Sequence, residues 1–179
     1  METFLNDGVQ LRRADKHAVS CRHDFISIPR MTTFRAFSVL GEILQLTCSY
    51  PSAPGINIRA DCSTIPATIL PTSQQLIVPH LIYIDLLPWA SLRDRILTNL
   101  PAIDEPELYA DLVADEPKIW GSTPWDPSGW ELGRDFVRIW WFLLDEGILS
   151  TSNFWRMQRG ECAQAIPQLE GQTLQPVTL

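Results

Sequence analysis

The chain has 179 residues, of which 45% are hydrophobic and 20% charged, with seven Trp and seven Phe. That is a globular mix at the length of one domain, and its aromatic content excludes a wholly disordered chain. A formal net charge of −7 excludes a protein that grips phosphate backbones by bulk charge, which needs clustered Lys and Arg.

Residues 1–31 mix sparse apolar residues with interleaved charges and read as a weakly ordered N-terminal tail. Phe34 to Leu46 predicts a first helix. Phe37, Val39, Leu40, Ile43 and Leu44 give it an apolar stripe. Gly41 inside it weakens the helix by about 1 kcal/mol relative to Ala, so a small residue is expected there for close packing. Pro51, Pro54, Gly55, Pro66 and Pro71 make residues 50–71 an irregular connector. Ser73 to Leu87 is apolar, β-branched and interrupted by Pro79, which suggests part helix and part extended chain.

Ser91 is the expected N-cap of the next helix, with Leu92, Ile96, Leu97 and Leu100 on its apolar face and Pro101 as its stop. Asp104, Glu105 and Pro106 open another, with Leu108, Leu112 and Val113 as its face. Ile119 to Trp130 reads as a loop pinned to the core by Trp120, Trp125 and Trp130. A long helix is then expected from Glu131 to Glu146, apolar almost all round and ended by Gly147. Ser150 or Thr151 is expected to cap a final helix running to Gly160, followed by a polar tail over 166–179. The fold class expected is mainly α. It is a single compact helical domain over 32–165 with a Trp-rich loop and long irregular connectors.

Four Cys, at 21, 48, 62 and 162, show no paired spacing, which suits reduced thiols inside a cell better than a disulfide framework. The first ten residues lack the basic and apolar regions of a signal peptide. The longest apolar run, Ile139 to Leu144, is far shorter than a membrane span. A soluble intracellular protein is the expectation.

Candidate chemistry is sparse. His17, Cys21, His23, Cys48 and Cys62 are zinc-ligand types, but without the spacings of a zinc site, so incidental placement is the better reading. His80 pairs on paper with Cys162 as a nucleophilic dyad, against the plainer role of a hydrogen-bonded structural His. Among paired carboxylates, Asp94, Asp104, Glu105 and Glu131 suit helix starts, and Asp126 before Pro127 suits a turn. No phosphate-binding glycine motif and no G-x-S-x-G elbow occurs. No catalytic, cofactor or metal residue is therefore assigned. From Ala36 onward eight basic residues stand against 17 acidic ones, and no basic helix leads into a leucine heptad.

Five blocks carry a resemblance. They are Pro71-Thr72 with Gln75-Leu76 and His80; Ile84-Asp85 with Leu87-Pro88-Trp89 and Ser91-Leu92-Arg93-Asp94; Trp120-Gly121 with Pro124-Trp125-Asp126-Pro127 and Gly129-Trp130-Glu131; Phe136 and Arg138 with Trp140 to Leu144; and Thr151 with Asn153 to Arg156 and Arg159-Gly160-Glu161. Together they resemble the domain of unknown function found C-terminal to the basic-leucine-zipper region of many filamentous-fungal transcription factors. Phe34 to Phe37 with Leu40-Gly41 is similar to that family's preceding helix. The resemblance implies a mostly helical domain in transcription regulators, some linked to secondary-metabolite gene clusters, and a nuclear or nuclear and cytoplasmic location. It brings no catalytic or ligand residues. The basic helix and zipper are missing here, so the chain is either a fragment or mis-started product of a longer factor or a stand-alone copy; the expected partner is a protein, either transcriptional machinery or a DNA-binding factor, and direct DNA binding is doubtful from this chain alone.

Trp and Arg are frequent at interface hot spots. Trp120, Trp125, Trp130, Trp140, Trp141, Trp155 and Arg156 are accordingly the candidate partner or pocket surface, against the alternative that these Trp fill a small core. The function expected is a non-enzymatic interaction module. A metabolite-binding protein or an uncharacterised enzyme of a biosynthetic cluster is the alternative, and a gene remnant without function a third reading.

Overall fold

The computed structural model describes residues 28–46, 63–114 and 117–165. Five α-helices and a small three-stranded sheet make up the described fold, which is mainly α as expected. The residues weighed as zinc ligands, His17, Cys21, His23, Cys48 and Cys62, lie outside the described residues. So do the C-terminal tail over 166–179 and most of the N-terminal tail. None of the described helices is long and apolar enough to cross a membrane.

The first described element is a strand, β1 (Arg30–Met31). Thr32 then caps α1 (Thr33–Ile43) by accepting from the Arg35 amide. The helix buries Ala36, Leu40 and Leu44 and leaves Phe37 half-buried. Gly41 does not serve close packing. A Cβ built there meets nothing within 4 Å.

Residues 67–69 and 82–86 form single 3₁₀ turns, so Ser73 to Leu87 holds turns and extended chain with no α-helix. Pro79 and the β-branched residues around it account for this. Helix α2 (Ala90–Asn99) starts two residues before the expected position. Trp89 occupies the cap and Ser91 lies inside the helix. Its hydroxyl donates instead to Asp145 Oδ2 at 2.5 Å. Leu92, Ile96 and Leu97 are buried as expected, and Arg93 is buried beside them. Pro101 sits in the 3₁₀ turn that follows. Helix α3 (Glu105–Ala114) buries Leu108 and Leu112, while Val113, expected on the same face, is exposed.

The ends of the expected Trp-rich loop are strands. β2 (Lys118–Trp120) lies at the centre of the sheet, antiparallel to both β1 and β3 (Trp130–Glu131). Ile119 faces Met31 on one side and Trp130 on the other. Gly121, at φ +89°, turns the chain after β2. Asp126 caps the turn before β3 by accepting from Ser128 N at 2.9 Å. Gly129 lets that turn lie against β2, because a Cβ there would stand 2.6 Å from the Trp120 carbonyl oxygen.

The long helix expected from Glu131 to Glu146 is broken. Helix α4 (Arg134–Ile139) ends at Trp140, a 3₁₀ turn covers Trp141 to Leu143, and α5 (Glu146–Gln158) follows. One straight helix cannot hide an all-apolar surface. The break turns Leu143 and Leu144 into the core and leaves Trp141 half-buried and Phe142 exposed. Asp145 caps α5 through the Ile148 amide at 2.9 Å. Gly147 is therefore inside the helix, and Thr151 bonds back to the Gly147 carbonyl instead of capping. The end of α5 is as expected, with Gly160 at φ +74°.

Candidate functional site

The seven residues expected to form a partner surface fall into separate environments. Trp130 is 0% exposed, edge-on to Trp89 at 5.4 Å, and donates its indole N–H to the Pro124 carbonyl at 2.8 Å. Trp140 is also buried, with its indole N–H on Asp111 Oδ2 at 2.9 Å. Trp125 packs half-buried against the core, and Trp141 lies half-buried at the edge of Phe142. Arg156 is buried and holds the Cys162 carbonyl and the Glu161 carboxylate.

Trp120 and Trp155 do meet, stacked at 5.3 Å between ring centres. Arg159 lies over the Trp120 ring at 5.5 Å and clamps Glu131 with two nitrogens. Exposed Phe154 stands edge-on to Trp155. Trp120, Trp125, Trp141 and Trp155 all reach solvent in part, and of these Trp120 and Trp155 stack on each other.

A second polar centre joins residues 68–85 to α2. His80 Nε2 lies 3.0 Å from Asp85 Oδ1, His80 Nδ1 lies 2.6 Å from the Val78 carbonyl, and Gln75 donates to Asp85 at 2.5 Å. Buried Arg93 donates to the carbonyls of Thr68 and Leu70 at 3.2 and 2.9 Å. Both partners of His80 are acceptors, an arrangement that favours the ring with a proton on each nitrogen, the imidazolium. Burial opposes that charge, but Asp85 and Val78 outweigh it and hold the His80 pKa above its ordinary 6.5.

A raised folded-state pKa gives stability that is complete below the unfolded value and lost as pH rises through the folded one. Wild-type unfolding free energy is thus expected to fall as pH rises above the ordinary 6.5, and His80→Gln to flatten that slope in urea titrations. An unchanged slope would remove the imidazolium assignment.

The residues weighed for acid–base chemistry are each bonded within the fold. His80 pairs with Asp85, Glu131 binds Lys118, Trp120 and Arg159, and Asp126 caps a turn. Cys162 is an exposed free thiol after α5. Among the described residues no group of three or more His, Cys, Asp or Glu is placed to hold a metal ion.

The feature that sequence reasoning missed is a groove of about 760 Å³. Phe34, Phe37 and Gly41 of α1 form one wall, and Leu81, Ile82 and Leu86 the other. Tyr83 and Tyr109 line it as a ring pair 4.9 Å apart. Tyr83 is 7% exposed, yet its hydroxyl has no hydrogen-bond partner among the described residues. Burial, with Glu105 and Tyr109 nearby, pushes the phenol pKa up, so it stays protonated. Phe34, 83% exposed, and Gly41 stand seven residues apart, the spacing of one helix face.

A family model described as a domain of unknown function, DUF3425, matches residues 49–150, more than half of the chain. The chain belongs to this family. No curated protein and no solved structure matches it. The DUF3425 match takes in the His80–Asp85 centre, the groove's Leu81–Leu86 wall and Glu131. Helix α1, the opposite wall of the groove, precedes the matched segment.

Proposed function

We propose that this DUF3425 chain is a non-enzymatic regulatory module of fungal transcription that works by binding. One observation carries the reading. An open apolar groove lies on a molecule whose buried charged side chains brace its own elements. Apolar concavity with a few placed polar groups is what binding sites offer. The transcriptional and fungal setting rests on the resemblance of the five sequence blocks, four of which contain Trp, and with it a nuclear location.

The partner we propose is a protein, either transcriptional machinery or a DNA-binding factor, because a net charge of −7 does not favour gripping phosphate backbones. The Trp120–Trp155 stack, with exposed Phe154 and Met157 beside it on α5, is the face offered to that partner. Large exposed aromatic and Met side chains favour such contacts.

The test is to fuse the full chain to an unrelated DNA-binding domain in a filamentous fungus and read a reporter gene. A several-fold change in expression is expected, reduced by Trp155→Ala in a variant that keeps its circular dichroism. A reporter that does not respond to the tethered chain removes the transcriptional reading.

A further inference from the structure

We infer that His80 is a protonation-dependent latch. Its charged form fastens residues 71–81 onto the buried turn that carries Asp85, and its deprotonation releases that strap while the helices stay folded.

The strap has few other ties. Residues 71–81 form turns and extended chain, without helix or strand. Both of its ends are fixed: Arg93 of α2 holds the Leu70 carbonyl just ahead of it, and the turn Ile82–Leu86 is buried just after it. Between them, Gln75 Nε2 and His80 Nε2 meet the same oxygen, Asp85 Oδ1, at 2.5 and 3.0 Å. The remaining side-chain bonds to other elements run from the Leu81 amide to Glu105 and from the exposed Thr98 hydroxyl to Gln74. A segment held by so few bonds opens locally at less cost than the whole fold.

The ring acts as a latch because it stands between two acceptors. Nδ1 lies 2.6 Å from the Val78 carbonyl, and the His80 and Asp85 side chains are 5% and 4% exposed. An imidazolium donates to both acceptors, whereas a neutral imidazole has one N–H. Its lone pair must then face either the Asp85 carboxylate or the Val78 carbonyl, which is the costly case of a buried bond left unmade.

Charges from the neighbouring elements set the direction. Asp85, and Glu105 from α3, favour the charged ring against burial. Arg93 from α2 faces Asp85, so that carboxylate keeps a counter-charge after His80 loses its proton. The latch is closed at low pH and opens as pH rises through the ring's own titration. Release frees Val78 from the core beside Leu76 and Ile77, which are already exposed.

The test is amide hydrogen exchange on the full chain by NMR, with pH raised from below 6.5. The Gln75, Val78 and Leu81 amides, each bonded in the closed strap, are the reporters. Their protection factors are expected to fall by about 10- to 100-fold, the loss of one hydrogen bond to a charged group, over the pH range in which the His80 ring resonances titrate. Low urea should leave this exchange unchanged while it speeds exchange inside α2 and α5, the mark of local opening. In His80→Gln, which carries no charge, strap protection should be low and flat with pH.

Strap amides that share the protection and urea dependence of α2 overturn the inference, since the strap then opens only with the whole fold. So does a ring that titrates without loss of strap protection, or one that is neutral while the strap is protected. All three results are read on the wild-type chain, so the outcome does not depend on the variant folding.

Discussion

Trp130→Ala is expected to lower the unfolding free energy by about 3–5 kcal/mol, the range for removing a large aromatic side chain from a core. Trp130 is fully enclosed, with Trp89 edge-on at 5.4 Å and Phe37 tilted at 6.3 Å. It also faces Ile119 across the sheet, so its loss opens a cavity where α1, α2's leading segment and the sheet converge. The Pro124 carbonyl loses its donor at the same time. At this chain size a loss of that order lowers the melting temperature by about 10 °C or more, which calorimetry reads directly. Trp130→Phe should recover part of the loss by filling part of the space. A Trp130→Ala protein that melts within a degree or two of wild type would show that the ring is not a core element. The residue was named from sequence as part of a candidate partner or pocket surface, against the alternative of a core Trp, and its side chain has no exposed surface.

The same residue shows what the sequence discloses and what it hides. Seven Trp in one domain signal burial as readily as binding, and the two are separated only by position. Trp130 and Trp140 sit inside, while Trp120 and Trp155 stack at the edge. Periodicity located α1, α2 and α3, because each has a single apolar face. It failed between Glu131 and Glu146, where Trp140 to Leu144 offers no polar face to set a period. A capping signal was present there in Asp145 followed by Glu146, and Gly147 drew attention away from it. Strands of two and three residues, such as β1 to β3, are too short to display alternation.

The groove was hidden for another reason. Its walls come from α1 and from residues some forty positions later, and only tertiary structure brings them together. Gly41 could be noticed in sequence, but its meaning was inverted. It leaves room open on the surface of α1, where close packing was expected. Nothing in the sequence around Tyr83 marks its hydroxyl as unpartnered. The polar centre of Gln75, His80 and Asp85 lies in two of the five blocks that carried the resemblance, and its bonds fix the segment that forms one wall of the groove. In that sense the most recognisable residues serve the site by holding its frame.

Glu131→Gln is the second large effect expected, a loss of about 2–4 kcal/mol with a change in acid sensitivity. The Glu131 side chain is 2% exposed and accepts four hydrogen bonds. Lys118 and Arg159 Nη2 meet Oε1 at 3.1 and 2.6 Å, while the Trp120 indole and Arg159 Nη1 meet Oε2 at 3.1 and 2.7 Å. One carboxylate thus fastens β2, β3 and the end of α5. Gln keeps the volume but removes the charge and turns one acceptor into a donor facing cations. Burial pushes the Glu131 pKa up, but the bonds from Arg159, Trp120 and Lys118 win and hold it below 4.5. A depressed folded-state pKa gives stability that is present above the unfolded value and lost as pH falls through the folded one. Asp145, lowered by Ser91 and the Ile148 amide, contributes in the same direction. Urea titrations between about pH 7 and about pH 3 should show wild-type stability falling with acid, and a shallower fall in Glu131→Gln from a lower starting level. If the two slopes coincide, the carboxylate does not carry the linkage assigned to it. As Arg159 lets go of Glu131, the cation over Trp120 is released as well, so the Trp120–Trp155 stack should change its fluorescence in the same acid range.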